Sequence, residues 1–151
     1  MNKSTIREVT FKLLYSLEIQ KNYEEDSIEL FLEDNEINEE KVKKEITKDV
    51  NNINENSEDI ISQISNNLKS DWKLERISKI NLALLKLAIY EMIYKKVPYK
   101  VVINEVVELA KKYGEDTSKS FINGVLATVV KKNSLAENVE NQKNEDNSIE
   151  E

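Results

Sequence analysis

Two glycines and one proline are all the strong turn formers in a chain of 151 residues. A β-rich fold of that length needs many tight turns, and Gly, Pro and Asn supply them. Such scarcity, beside so much Leu, Ile, Lys and Glu, directs the chain to an all-α class. The length suits one ordinary domain and suffices to bury a sizeable core.

The chain contains no cysteine and no histidine. Disulfides and thiolate metal sites are therefore excluded, and so is imidazole as a general base or metal ligand. No Ser-His or Cys-His nucleophile pair and no His-based zinc site can form. Neither GxGxxG nor GxxxxGK[ST] occurs. The chain is expected to be no enzyme and to need no metal or cofactor. The opening MNKSTIREVTF lacks the apolar segment of a signal peptide, because Arg7 and Glu8 interrupt it. The most apolar stretch, Ile77 to Tyr94, is broken by Lys79, Asn81, Lys86 and Glu91, too often for a membrane span. A cytoplasmic location is expected.

A net charge of −7 argues at first against a nucleic-acid ligand. The charge is unevenly spread. Residues 24–68 carry fourteen acidic and four basic side chains, whereas 69–132 carry thirteen basic and seven acidic. Residues 1–23 are also basic, and 133–151 are acidic. A phosphate feels charges within about one Debye length, ~8–10 Å, so the local balance matters more than the total.

Apolar periodicity yields about seven helices. The first runs from Ser4, read as its N-cap, to about Gln20. One stripe is Ile6, Val9, Leu13 and Leu17, and Phe11, Tyr15 and Ile19 fall on another side. A helix apolar on two sides is buried between two layers. Helices near 24–33 and 39–53 follow, then one opening at Ser57 with Ile60, Ile61, Ile64 and Leu68 inward. A nearly continuous apolar helix spans about Ser78 to Lys95 and ends before Pro98. The next carries Val102, Val106, Leu109 and Ala110 on one face, with Gly114 as its C′ residue. Asp116 or Thr117 caps the last helix, Ser118 to Lys132. Residues 1–132 thus form one helical domain, and 133–151 read as a disordered acidic tail.

Two stretches are specific beyond their periodicity. WKLERI starts at Trp72 and INLALLKLAIYEM spans Ile80 to Met92; PYKVVINEVVELAKKYG starts at Pro98 and SFINGVL spans Ser120 to Leu126. Together they resemble the NusB family. Arg7-Glu8 through Leu14-Tyr15 agrees less closely, and 21–55 only in helical character. The resemblance implies two packed helical bundles sharing the first helix. It implies a transcription antitermination factor that binds the boxA RNA of ribosomal RNA leader transcripts. The implied protein partners are the small-subunit ribosomal protein NusE and the RNA polymerase antitermination complex. Some relatives self-associate, so a homodimer is an open outcome.

Single-stranded RNA is held by cations on phosphates and by bases stacked on aromatic rings. The resemblance places Arg7 in an arginine-rich run of the first helix that is thin here. Lys3 and Lys12 add charge to the same helix. Arg7, Phe11 and Tyr15 fall at i, i+4 and i+8, one side of a helix. Phe11 reads as core, and Tyr15 as either core or RNA contact. Phe121 lies at the edge of the last helix's apolar stripe, where packing and exposure both fit, and the resemblance assigns it to RNA. Thr117, Ser118 and Lys119 open that helix, where free N–H groups attract phosphate and an ordinary capped turn fits equally. Asn104 and Asn123 read as polar links between helices. Gly124 costs about 0.5–1 kcal/mol in mid-helix against Ala and so suggests a close approach, by another helix or by RNA. Glu75, Lys86 and Glu91 interrupt apolar runs and are candidates to face the protein partner.

Two other readings compete with the RNA adaptor. A similar helical module precedes the catalytic domain in some RNA cytosine methyltransferases, but this chain has no room for that domain. A helical protein-protein scaffold with weak or lost RNA binding is the second, given the thin arginine run.

Overall fold

The computed structural model describes residues 1–135. The described residues form seven α-helices and no strands. They are α1 (Lys3–Gln20), α2 (Glu25–Asp34), α3 (Glu40–Glu55), α4 (Ser57–Ser65), α5 (Lys79–Ile89), α6 (Tyr99–Tyr113) and α7 (Ser118–Lys132). A single 3₁₀ turn, Leu74–Arg76, precedes α5. The acidic-tail expectation falls mostly on 136–151, which lie outside the described residues.

Helix α1 starts one residue earlier than its expected cap. Asn2, not Ser4, is the N-cap: its side chain accepts a hydrogen bond from the Thr5 N–H at 2.8 Å. Ser4 lies inside the helix and donates instead to Glu105 Oε1 at 2.6 Å. The helix ends at Lys21, which adopts a left-handed conformation at φ 52°.

Helix α5 is the hub. Every residue from Ala83 to Met92 is buried, which accounts for its lack of a single apolar stripe. Helices α1, α4, α6 and α7 all pack on it, α3 packs on α1 and α4, and α6 on α7. Each buried Leu or Ile there contributes about 1.5–3 kcal/mol on removal from water. The α-helical ladder does not reach Lys95 as the apolar run predicts. Tyr90–Tyr94 widen into a π turn, in which the Lys95 N–H reaches Tyr90 O at 3.1 Å. The widened turn directs Tyr90 Oη to Asp49 Oδ1 at 3.0 Å while it accepts from Asn52 Nδ2 at 3.1 Å, tying α5 to α3.

Three expectations about small and polar residues are corrected. Gly114 is not a left-handed cap: its φ is −92° and ψ −171°. It is needed for space, because a Cβ there would lie 2.6 Å from Ser118 Oγ and 2.8 Å from Ala110 O. Asn104 and Asn123 are exposed and link nothing. Gly124 has no helix against it; a Cβ there would meet nothing within 4 Å among the described residues.

Candidate nucleic-acid interface

Helix α1 runs beside α6, and their contact builds a cationic aromatic cluster. Phe11, 2% exposed, packs its ring 5.3 Å from that of Tyr113 at the end of α6. Half-buried Tyr15 stacks on Phe11 at 6.4 Å. Lys12 Nζ lies 5.5 Å from the Tyr113 ring centre and Lys112 Nζ 5.3 Å. Both lysines are exposed, so the Tyr113 ring carries two solvent-facing cations from two different helices. Tyr113 and Lys112 escaped the sequence reading. Their only signal was a lysine pair followed by an aromatic at a helix end.

Glu8 anchors the cluster from below. It accepts from Lys112 Nζ at 2.6 Å and from Tyr113 Oη. These two bonds, that of Lys112 first, hold its carboxyl below the usual glutamate range, and Lys112 is correspondingly raised.

Arg7 does not join this surface, and its expected role as a free phosphate ligand is corrected. It is 8% exposed, and its Nε and Nη2 donate to Glu91 Oε2 and Oε1, both at 2.7 Å. Glu105 lies 3.8 Å from its Nη1. The guanidinium is spent on a buried bidentate pair, and the bond to Glu91 raises its pKa further. Lys3 remains exposed at the start of α1.

The same pair removes Glu91 from the protein-partner candidates. Lys86 is removed likewise: it is 6% exposed and its Nζ bonds Glu18 Oε2 at 3.0 Å. Both charges interrupt the apolar run because they bind α1, not because they face a partner. Glu75 is exposed in the 3₁₀ turn.

At the start of α7, Thr117 makes no side-chain cap bond. Ser118 is 2% exposed and its Oγ accepts from the Glu115 N–H at 2.9 Å. It closes the turn internally, so it is not a free contact for RNA. Thr117 and Lys119 are exposed. Phe121 is half-buried and stacks on Trp72, with centroids 5.2 Å apart and planes at 30°. Trp72 is 46% exposed, so this second aromatic pair also reaches the surface.

The NusB family model matches residues 4–131. The chain belongs to the NusB family. Transcription antitermination protein NusB of Clostridium novyi (strain NT) is 43% identical over 133 residues, covering 87% of this chain and 99% of that one. The NusB of Acetivibrio thermocellus is 46% identical over 132 residues, covering 87% and 90%. Among solved structures, T. maritima NusB superposes with a TM-score of 0.76 at 32% identity, covering 87% of this chain and 92% of that one. A NusB crystallised with NusE and double-stranded RNA shares the fold, with a TM-score of 0.77 at 24% identity over 85% of this chain and 96% of that one. No described helix of this NusB-family chain is long and apolar enough to cross a membrane.

Proposed function

We propose that this chain is a non-enzymatic transcription antitermination factor of the cytoplasm that binds boxA-type RNA together with NusE. The observation that carries the RNA half is the Tyr113 ring flanked by Lys12 and Lys112, with Tyr15 stacked alongside. Two cations set on an aromatic surface offer an unpaired strand both phosphate contacts and a stacking face. Lys119 and Lys3 extend the positive field along the same helices. Family membership and the solved NusB–NusE assembly support the partner half. Titration of boxA RNA at two salt concentrations, with and without NusE, tests the proposal. Sequence-selective binding that tightens with NusE and weakens with salt is the expected result; equally weak binding to any sequence in both mixtures rejects it.

A scaffold that has lost RNA binding is the second reading. One observation favours it: the arginine of the first helix is neutralised, and Glu8, Glu91 and Glu105 all lie against α1. The same titration separates the two.

A further inference from the structure

The Trp72–Phe121 pair opens onto a cleft of about 310 Å³ between the segment after α4 and the exposed side of α7. Its volume lies at the small end of the ~300–1,000 Å³ range typical of ligand clefts. Its walls include Asn67, Lys69, Trp72, Phe121, Gly124 and Thr128. Among the described residues no carboxylate lines it. The groove at the start of α1, by contrast, is lined by Glu8, Glu105 and Glu108.

Two features of this cleft are left unexplained by the fold. Gly124 sits in the middle of α7, where a Cβ would meet nothing among the described residues, so neither helix packing nor φ requires glycine. An alanine there would favour the helix, and the bare backbone serves only to keep the cleft open. The second feature is Asn67. It is 8% exposed, its Nδ2 donates to Gln63 O at 2.6 Å, and its Oδ1 has no partner among the described residues. Buried acceptors are seldom left unpaired, so the wall is short of one donor.

We propose that this cleft receives one unpaired nucleobase, stacked on Trp72, with a base N–H supplying the donor that Asn67 lacks. An aromatic floor suits any base, every base carries N–H donors, and Lys69 with no opposing carboxylate suits the attached phosphate. The inference rests on the RNA-binding reading above and adds a site that the Lys12–Tyr113–Lys112 cluster does not contain.

Trp72 is the single tryptophan of the chain, so its fluorescence reports on this cleft directly. Single-stranded boxA RNA is titrated into the full chain and into Gly124→Leu, a substitution that fills the cleft with a good helix former. Quenching of Trp72 by RNA is expected in the unsubstituted chain. In Gly124→Leu the quenching is lost and affinity falls about tenfold, the loss of one stacked base, while the melting temperature does not drop. Lys12→Ala/Lys112→Ala weakens binding yet still shows quenching at saturating RNA. RNA binding without any change in Trp72 fluorescence overturns the cleft and leaves the RNA reading standing. Quenching by NusE alone assigns the cleft to a protein and overturns the proposal. No RNA binding by the unsubstituted chain overturns both readings. Should Gly124→Leu fold poorly, quenching in the unsubstituted chain still decides.

Discussion

Arg7 and Glu91 lie 84 positions apart and share two hydrogen bonds of 2.7 Å in the interior. Removing one partner leaves the other charge buried. Glu91→Ala is expected to destabilise the fold by about 3–5 kcal/mol, read as a shift in the denaturant midpoint. The apolar pair Arg7→Met/Glu91→Leu should recover most of that loss. Arg7→Ala should lower the melting temperature yet leave the salt slope of RNA binding unchanged; a shallower slope would return Arg7 to the interface.

The lysines flanking Tyr113 give the opposite pattern. Lys12→Ala and Lys112→Ala are each expected to lower RNA affinity and flatten the log–log salt dependence by about 0.7 per lost phosphate contact. Thermal stability should hardly move, because an exposed ion pair such as Lys112–Glu8 adds little. Parallel losses of stability and affinity would instead make the lysines structural.

The two glycines should respond with opposite signs. Gly114→Ala forces a Cβ to within 2.6 Å of Ser118 Oγ and 2.8 Å of a backbone carbonyl. Overpacking of that kind costs about 1–3 kcal/mol. Gly124→Ala meets open space and should stabilise by about 0.5–1 kcal/mol. Chemical denaturation of both variants checks the pair.

Alkaline stability follows from Tyr90. Burial, with the Asp49 carboxylate beside it, pushes its hydroxyl up to about 12, against about 10 in an unfolded chain. The folded value is the higher one, so this contribution is fully present below about pH 10 and is lost as pH rises toward 12. Unfolding free energies measured across that window should fall in the unsubstituted chain. They should fall less in Tyr90→Phe, where Tyr23 and Tyr94, both pushed to about 12, still contribute.

Helix α7 was legible to the residue, because its apolar stripe is bounded by a turn and a lysine pair. The number of helices followed from the same periodicity. What escaped were the partners of charged groups. Lys86 and Glu91 interrupt an apolar helix, and such an interruption reads equally as a solvent-facing residue or as half of a buried pair. The other halves, Glu18 and Arg7, are 68 and 84 positions away, and no local pattern joins them. The π turn left no periodic trace either. Of the candidate site, the lysine of α1 and both aromatic stripes were visible. Tyr113 and Trp72 were passed over because each sits at an element's end, outside any stripe.

The cations over Tyr113 come from separate elements, one from α1 and one from α6. An anionic strand gripping both would staple those helices together. Local fraying of α1 would then have to break the grip, so ligand occupancy and the amide exchange rate of that helix should be thermodynamically tied.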